Sequence, residues 1–357
     1  MYKRTLKKPD GRDLFLYGRA PIDPAIIAPA AGHAGPRSAH LRWHPLRGEW
    51  VVYAAHRQDR TFLPPVDWNP LAPARSAEHP TEVPAGAWDV AVFENLFSAL
   101  GTTTAAPPRQ SVPTAPAGGR CEVVVFTQDP QASLGSLSLD RIELVLEVWA
   151  DRTQALAARD DVAYVFAFEN RGVEVGVTMA HPHGQIYAYP FVPPVLAREL
   201  ALQDAHFTQH GESLLGAMIA DELAADERTL YVGAHAVAFV PVCARWAYEL
   251  WVAPIRPAAT LAALREDERR DVARALQLAL RKLDGLWQRP MPYVLAVHQA
   301  PVRGSHPYAH LHVEIYPWLR MPGRLKYLAG SEVGAGVFTA DTLPEAKAAE
   351  LRAVVLP

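Results

Sequence analysis

The residues best suited to chemistry stand in one short string, HPHGQ, at residues 181–185. If residues 181–189 form a β-strand, alternation places four polar side chains on one face: His181, His183, Gln185 and Tyr187. Pro182 suits the start of a strand or an edge strand. Gly184 would leave the backbone open to close approach by a ligand. The plain alternative is a sheet edge whose polar side chains only face solvent.

A strand face with two imidazoles and an amide is suited to phosphoryl transfer. A histidine with its ordinary pKa of about 6.5 is largely neutral at pH 7, so it can approach a phosphate as a nucleophile. Its attack gives a phosphoramidate that can be passed on to a second acceptor. The amide of Gln185 could donate a hydrogen bond to a phosphoryl oxygen during transfer. The string therefore predicts covalent catalysis on a phosphate.

The surrounding segments indicate how this face is positioned. The apolar runs CEVVVF and VAYVFAF, rich in β-branched and aromatic residues, are typical of strands. Two longer segments predict helices, because their apolar residues fall on one face. In residues 139–159 these are Ile142, Val145, Trp149 and Leu156, and in residues 267–287 they are Val272, Leu276, Leu280 and Leu283.

An internal repeat constrains the fold further. The order strand, turn, long helix, strand, then HPHGQIYAY recurs as strand, turn, long helix, strand, then HLHVEIYP. His181, His183 and Gln185 correspond to His310, His312 and Glu314, each 129 residues later. A carboxylate would repel a phosphate, so the second copy is expected to be non-catalytic. The repeat predicts an α+β fold of duplicated histidine-triad-like units, each an antiparallel sheet with a long helix packed on it.

The expected division of the chain follows from this repeat. Residues 1–38, rich in Pro, Ala and Gly, are expected to form an irregular N-terminal arm. Residues 39–192 would form the N-terminal catalytic domain, and residues 193–357 the C-terminal domain with a tail. Residues 102–120 are expected to be a surface loop, because they lack apolar periodicity.

Composition excludes several classes of function. The 357-residue chain is 50% apolar, with a net charge of −3, which argues against nonspecific binding to nucleic acid. Two cysteines are too few for a disulfide framework or a cysteine-rich zinc site. Neither a signal peptide nor an uncharged apolar run of about eighteen residues is evident. We therefore expect a cytoplasmic protein that binds no membrane.

Residues 168–194, FENRGVEVGVTMAHPHGQIYAYPFVPP, resemble the active-site signature of the galactose-1-phosphate uridylyltransferase family, in the histidine-triad superfamily. The resemblance extends from about residue 40 to residue 352. It implies an enzyme of galactose metabolism, usually a homodimer, that exchanges UMP between UDP-glucose and galactose 1-phosphate by a ping-pong route. By the same resemblance, His183 is the nucleophile that becomes uridylylated, and Gln185 steadies the transferred phosphoryl group.

Other positions take roles from the same resemblance. Arg57 and Arg60 correspond to arginines near the nucleotide, although two such arginines are equally typical of a solvated surface. Asn95 matches a residue that contacts uridine, and Asn170 matches one that binds the phosphoryl region. Gly176 and Thr178 match residues near the phosphates. Leu96 stands where the family often has a charged residue. Together with His183, the matched residues predict a phosphate cradle.

The chain departs from the family at its structural zinc sites. The family commonly holds zinc with a C-x-x-C pair, a later histidine and the first histidine of H-P-H. Here Asn69, Ala72 and Pro130 occupy three of these positions, leaving His181. In the second copy they are Ser213, Gly216 and Pro257, leaving His310. Zinc needs four strong ligands, so we expect both sites to lack it and hydrogen bonds to replace it.

Two further groups are matched by resemblance. Glu199, His298 and His312 match a separate metal position, where zinc or iron is expected; a hydrogen-bonded cluster between the copies is the alternative. Glu314 stands where a further histidine is usual. Lys326, Tyr327 and Glu332 match residues that contact the hexose, often from the partner subunit. Ser331 and Phe338 replace a common tyrosine and a sugar-binding glutamine.

Three functions stay open at this point. The first is UDP-glucose:hexose-1-phosphate uridylyltransferase. The second keeps His183 but changes the substrates, as in an ADP-glucose phosphorylase-like nucleotidylyltransferase or a histidine-triad hydrolase. The third is a non-catalytic nucleotide-binding or metal-binding protein, against which the retention of the whole HPHGQ string with Asn170 argues.

Overall fold

The structure is a computed structural model that describes residues 1–30, 39–59, 68–74, 80–101 and 106–356. Five α-helices lie within these ranges: α1 Leu139–Ala157, α2 Pro194–His210, α3 Leu214–Ala225, α4 Glu266–Gly285 and α5 Pro344–Ala353. The strands are β1 Tyr2–Lys7, β2 Asp13–Gly18, β3 His40–His44, β4 Glu49–Tyr53, β5 Val90–Glu94, β6 Thr114–Pro116, β7 Arg120–Val125, β8 Tyr164–Arg171, β9 His183–Tyr189, β10 Thr229–Val232, β11 Ala236–Phe239, β12 Leu250–Pro254, β13 Tyr293–His298, β14 His312–Pro317, β15 Leu319–Met321 and β16 Arg324–Leu325.

One antiparallel sheet carries both copies of the repeat. Its eleven strands run in the order β1-β2-β5-β7-β9-β8-β13-β14-β12-β11-β10. The copies meet where β8 pairs with β13, for example Asn170 opposite Val294 and Phe168 opposite Ala296. The chain order β7, α1, β8, β9 recurs as β12, α4, β13, β14. The predicted duplicated α+β fold is confirmed, and the two units share a single sheet.

The two long helices were predicted correctly and pack on one face of the sheet. Every apolar position that predicted them is buried, including Trp149 of α1 and Leu276 of α4, neither of which has any exposed surface. Ser138 begins α1 by accepting a hydrogen bond from the Arg141 N–H. Ile186 and Ala188 of β9 belong to the same apolar core. Because side chains alternate along a strand, the residues between them point to the opposite face of the sheet.

The irregular arm predicted for residues 1–38 is wrong for its first part. β1 and β2 form an antiparallel hairpin that extends the sheet next to β5. The run Leu14–Tyr17 is buried throughout, as expected for a strand covered on both faces. The prediction followed the Pro, Ala and Gly content of the later residues. Residues 31–38 lie outside the described part of the chain.

The predicted loop at residues 102–120 also contains regular structure. Thr114–Pro116 forms β6 and pairs with β3 in a small sheet of order β4-β3-β6, and β7 begins at Arg120. Residues 102–105 are not described. The pairing of β6 depends on a strand more than sixty residues earlier, so local composition could not reveal it. The domain division at residues 192 and 193 stays a prediction.

No helix of the described residues combines the length and the apolar character that crossing a bilayer requires.

Candidate active site

His183 lies in a cleft of about 460 Å³ on the sheet face opposite α1 and α4. The cleft wall includes seven of the residues singled out in the sequence: Arg57, Asn95, Asn170, Gly176, Thr178, His183 and Gln185. They come from β8, β9 and the segments that follow β4, β5 and β8. Arg60 lies outside the described residues. The fold thus gathers the predicted phosphate cradle, although the role of each residue stays a prediction.

The protonation pattern of His183 is fixed by its backbone contact. Its Nδ1 lies 2.7 Å from the carbonyl oxygen of His181. A carbonyl only accepts, so Nδ1 carries the proton and donates it. In the neutral ring the lone pair is then on Nε2, and Nε2 makes no hydrogen bond to any described residue. This is the arrangement that a nitrogen nucleophile requires.

The surroundings of His183 favour the neutral ring. Burial lowers its pKa below the ordinary value of 6.5, and the nearby His181 adds to this effect. The hydrogen bond to the His181 carbonyl acts in the opposite direction but does not overcome it. A lowered pKa means that the neutral imidazole is the main form at pH 7. The ring is therefore available as a nucleophile at physiological pH.

Two amide side chains flank His183, each without a hydrogen-bond partner among the described residues. Gln185 lies two residues along β9 on the same face, and Asn170 lies on the neighbouring strand β8. Neither side chain makes a hydrogen bond to another described residue. An amide N–H₂ offers two donors. The cleft can thus present neutral donors to phosphoryl oxygens beside an uncharged nucleophile.

His181 does not share the face of His183, contrary to the prediction. β9 begins at His183, and the ring of His181 is buried with 2% exposure outside the cleft lining. Its Nε2 lies 2.7 Å from the Thr127 carbonyl, and its Nδ1 lies 3.0 Å from Asn69 Nδ2. Pro182 has no N–H to continue the ladder, so regular alternation starts only after it.

Both positions where the family holds zinc contain hydrogen bonds instead. In the first copy Asn69 contacts His181. In the second copy the Ser213 hydroxyl lies 2.9 Å from His310 Nδ1, while His310 Nε2 lies 2.8 Å from the Pro254 carbonyl. Both copies therefore use a side chain from a former cysteine position to hold the first histidine. The absence of zinc stays a prediction, and these contacts support it.

Gly184 serves packing rather than ligand approach, which corrects its predicted role. A Cβ at this position would lie 2.7 Å from Phe126 Cζ and 2.9 Å from the Phe168 carbonyl oxygen. Phe126 belongs to the helix-side core. Since residues alternate, the missing Cβ points away from the cleft. The glycine lets β9 approach β8 and Phe126 closely.

We expect Gly184→Ala to lower both stability and activity. The added methyl group meets the backbone of β8, which cannot rotate away, so β9 must shift and carry His183 and Gln185 with it. Overpacking of this kind costs about 1–3 kcal/mol. Gly334→Ala is a matched control, because nothing lies within 4 Å of its Cβ position. Thermal unfolding and turnover check the pair; wild-type values for Gly184→Ala would show that the strand has room.

Sequence reasoning missed the apolar wall of the cleft. Aromatic side chains contribute much of it: Trp68, Phe93, Phe97, Phe168 and Tyr187. Phe168 and Tyr187 pack edge to face, with ring centroids 5.1 Å apart. Alternation on β8 and β9 was the available signal, since both residues share a face with His183. An aromatic wall beside phosphate ligands is suited to a nucleoside.

Arg57 joins this wall to the phosphate cradle. Its Nη1 donates to the Phe97 carbonyl at 2.7 Å and to the Tyr187 hydroxyl at 3.4 Å. Among the described residues of the cleft lining, it is the one lysine or arginine. Its remaining guanidinium donors can bind phosphate oxygens.

Glu82 also lines the cleft, and its charge is compensated from the N-terminal hairpin. Lys8 forms an ion pair with its carboxylate, and Arg12 Nη1 lies 3.1 Å from the same group. Lys8 and Arg12 are themselves nearly fully buried. Without these two cations, a buried carboxylate in this wall would oppose the binding of an anionic substrate. The hairpin missed in the sequence thus contributes to the electrostatics of the cleft.

The predicted metal ligands come together on the same face of the sheet, in the second copy. One ligand atom each of Glu199, His298 and His312 lies within 4.8 Å of the others, and Glu199 accepts a hydrogen bond from His298 Nδ1 at 2.7 Å. The set of two imidazoles and one carboxylate is compatible with a metal ion. Glu314 is adjacent, with its Oε1 3.5 Å from His312 Nε2.

The predicted hexose ligands do not reach the cleft of their own chain. Lys326 is buried; its Nζ donates to the Thr339 carbonyl at 2.7 Å and lies 3.6 Å from Glu332. Glu332 accepts from the Ala329 and Thr339 N–H groups. Tyr327 is 74% exposed. A role in hexose binding therefore requires a second subunit, and it stays a prediction.

Two sequence profiles, which together cover most of the chain, identify its family. The profile described as galactose-1-phosphate uridyl transferase, N-terminal domain, matches residues 33–193, and the profile of the C-terminal domain matches residues 199–355. The chain belongs to the galactose-1-phosphate uridylyltransferase family. The family is one of nucleotidyltransferases, so the chain is identified as an enzyme of this class.

Individual members of the uridylyltransferase family agree over most of the chain. The galactose-1-phosphate uridylyltransferase of Thermotoga maritima is 34% identical over 87% of this chain and 97% of its own. That of Streptomyces lividans is 36% identical over 84% of this chain and 81% of its own. A solved uridylyltransferase structure superimposes with a TM-score of 0.80, at 32% identity over 88% of this chain and 98% of that one.

A different activity occurs among more distant relatives. The ADP-glucose phosphorylase of Arabidopsis thaliana is 25% identical over 90% of this chain and 94% of its own. A structure of an ADP-glucose phosphorylase from the same plant has a TM-score of 0.66 at 24% identity and covers 89% of this chain and all of that one. At this identity the structural likeness shows the shared fold.

Proposed function

We propose that this enzyme moves a uridylyl group from UDP-glucose to a hexose 1-phosphate, with galactose 1-phosphate as the expected acceptor, through a covalent intermediate on His183. The observation that carries the proposal is the contact of His183 Nδ1 with the His181 carbonyl, which holds the ring proton on Nδ1 and leaves Nε2 of this cleft residue with the lone pair. The uridylyltransferase relatives support the substrates. A cytoplasmic setting is part of this proposal, and the free thiols of Cys121 and Cys243 are compatible with it.

In the first half-reaction, Nε2 of His183 attacks the α-phosphorus of UDP-glucose. The nitrogen–phosphorus bond forms while the bond from this phosphorus to the bridging oxygen breaks, and glucose 1-phosphate leaves with the electron pair. No proton transfer is needed, because a phosphate leaving group is stable as an anion. Nδ1 keeps its proton, so the uridylylated ring carries positive charge, which the His181 carbonyl stabilises.

In the second half-reaction, a phosphate oxygen of the hexose 1-phosphate attacks the same phosphorus. The nitrogen–phosphorus bond breaks, its electron pair returns to Nε2, and UDP-hexose is released. Gln185 and Asn170 donate to the non-bridging oxygens, and Arg57 neutralises their charge. Asn95, Gly176 and Thr178 position the nucleoside and phosphates, and the aromatic wall excludes water that would hydrolyse the intermediate.

Trapping of the intermediate tests the proposal. After incubation with UDP-glucose labelled at the α-phosphate, label is expected on the peptide that contains residues 181–187, stable in base as phosphoramidates are. Addition of galactose 1-phosphate should discharge it as labelled UDP-galactose. Label from ADP-glucose discharged by inorganic phosphate would favour a phosphorylase, and discharge by water a hydrolase. Binding without any label would favour a non-catalytic nucleotide-binding protein.

The metal ligands fit a zinc or ferrous ion. Glu199, His298 and His312, with Glu314 nearby, offer the imidazole and carboxylate donors that both ions accept. We propose that they hold such an ion, which when bound supplies a cross-link between α2 and the strands β13 and β14.

We further propose that the enzyme acts as a homodimer whose tail residues complete the partner's cleft. The support is that Tyr327 is exposed while the tail lies outside its own chain's cleft. A mixture of His183→Gly and Tyr327→Ala chains, each inactive alone, is therefore expected to regain activity. Random pairing leaves about a quarter of all sites with both intact residues. Turnover of the mixture after exchange of subunits measures this; no recovery would place the hexose site within one chain.

A further inference from the structure

The geometry points to Asn69 as a positioning residue for His183: it holds His181 in one neutral tautomer and so keeps the ring of the nucleophile oriented and free of a neighbouring positive charge. The inference rests on the proposed uridylyl transfer. It assigns a function to a residue that stands where the family commonly has a zinc-binding cysteine. Asn69 does not line the cleft itself, so it acts through His181.

The orientation of the Asn69 amide is fixed by the backbone. Its Oδ1 accepts a hydrogen bond from the Leu71 N–H at 3.0 Å, so Nδ2 must face His181. Nδ2 only donates, and it lies 3.0 Å from His181 Nδ1, which therefore accepts. The proton of His181 is then on Nε2, 2.7 Å from the Thr127 carbonyl. One tautomer alone satisfies all three contacts.

The chain of contacts ends at the nucleophile. The carbonyl of His181 accepts the Nδ1–H of His183 at 2.7 Å. An anchored His181 ring thus fixes the peptide group that selects the tautomer of His183. In the family such a ring is commonly held by zinc; here an amide donor does so. Leu71 and Pro70 line the cleft, so the same turn also shapes the nucleotide wall.

The donor of Asn69 also opposes protonation of His181. A second proton on His181 would sit on Nδ1, directly against the N–H₂ group of Asn69. Burial lowers the pKa of His181. The hydrogen bond to the Thr127 carbonyl and the negative charge of Asp129 act in the opposite direction but do not overcome this effect. A cationic His181 would disfavour the positive charge that develops on uridylylated His183. Asn69 prevents this conflict.

A matched arrangement occurs in the second copy, which the sequence predicts to be non-catalytic. Ser213 donates to His310 Nδ1, His310 Nε2 donates to the Pro254 carbonyl, and the His310 carbonyl accepts from His312 Nδ1 at 2.9 Å. Burial lowers the pKa of His310 to about 4. Ser213→Asp therefore places a carboxylate against His310 Nδ1, as Asn69→Asp does against His181 Nδ1, but at a residue outside the cleft lining.

The decisive experiment compares Asn69→Asp with Ser213→Asp in single-turnover uridylylation by UDP-glucose across pH. Aspartate keeps the size of asparagine and the bond from Leu71, but its carboxylate accepts from Nδ1 and so stabilises doubly protonated His181. A carboxylate partner raises the pKa of His181, so the rate should be low below that raised pKa and recover above it. We expect a fall of 10- to 100-fold at pH 7 for Asn69→Asp.

The comparison variants separate positioning from folding. The rate of wild type should fall to half only below pH 6.5, because the pKa of His183 is lowered. Asn69→Ala should lose rate without a new pH inflection, and Ser213→Asp should keep the wild-type profile. A merely structural role predicts that Asn69→Asp is slower by the same factor at every pH. That result, or an unchanged rate, overturns the inference.

Failure of the proposed function would be visible separately. If wild type forms no covalent adduct, ¹⁵N NMR of the histidine-labelled protein without substrate still decides the positioning role. His181 should show the Nε2–H tautomer in wild type and a doubly protonated ring at pH 7 in Asn69→Asp, with His183 bearing its proton on Nδ1. A neutral His181 in Asn69→Asp would overturn the inference.

Discussion

The His183→Gly variant is expected to accept no label from UDP-glucose and to lose turnover by at least about 1,000-fold. Removal of the ring removes the single nitrogen that can form the covalent bond, and no other imidazole lines the described part of the cleft. UDP-glucose should still bind, because Arg57, Asn170 and Gln185 remain. Labelling, turnover and equilibrium binding of UDP-glucose measure the three expectations.

A control variant shows whether the loss is specific to position 183. His206→Ala on α2 changes a histidine outside the cleft lining and should keep wild-type labelling. Because His183 is partly exposed, its removal should leave a folded protein, which circular dichroism can verify. If His183→Gly retained base-stable label on the same peptide, another residue would be the nucleophile and the proposed function would lose its central step.

The local sequence was sufficient for the elements whose signals are local. α1 and α4 were predicted because apolar residues recur at helical spacing and meet one core. β8 and β9 were predicted from apolar runs, and the repeat gave the order of elements in both copies. Five described residues of the phosphate cradle were found through a family resemblance, since alone they are ordinary turn and surface residues: Arg57, Asn95, Asn170, Gly176 and Thr178. His183 and Gln185 were predicted from the chemistry of the HPHGQ string itself.

Features that depend on distant partners were missed. Within the described part of the chain β1 pairs with β2 alone, so its exposed, charged residues give no sign of the sheet that they extend. Glu82 becomes compatible with an anionic ligand through Lys8, 74 residues away. Gly184 was assigned to ligand approach because its real neighbours come from elsewhere in the chain: Phe126 follows β7, and the Phe168 carbonyl belongs to β8. Each error concerns a contact that no local pattern encodes.

The helices α2 and α3 were missed for a different reason. Pro194 at the first position of α2 and Gly211 in the left-handed conformation after its end are ordinary start and stop signals. Ser213 caps the start of α3, because its side chain accepts a hydrogen bond from the Gly216 N–H. Few residues of either helix are buried, so neither has a broad apolar face. Capping residues mark the boundaries of both helices, whereas apolar periodicity does not reveal them.

Gln185→Glu is expected to slow both half-reactions by about 100- to 1,000-fold. The substitution keeps the length of the side chain but replaces a neutral donor with a group that only accepts when ionised. It therefore removes a hydrogen bond to the phosphoryl group and adds repulsion. Single-turnover rates of uridylylation and of discharge by hexose 1-phosphate measure the two steps.

The second copy shows what a glutamate at this strand position requires. Although burial raises the pKa of Glu314, the charge of His298 and hydrogen bonds from His312 and Tyr316 lower it to about 2. Arg245 Nη2 also lies 3.2 Å from the Glu314 carboxylate. In the first copy Arg57 is the one such cation among the described cleft residues, and the phosphate needs it.

Gln185→Ala should be less impaired than Gln185→Glu, since it adds no charge. Equal rates for wild type and Gln185→Glu would remove the amide from the mechanism, because neither the lost donor nor the added charge would then affect the rate of transfer.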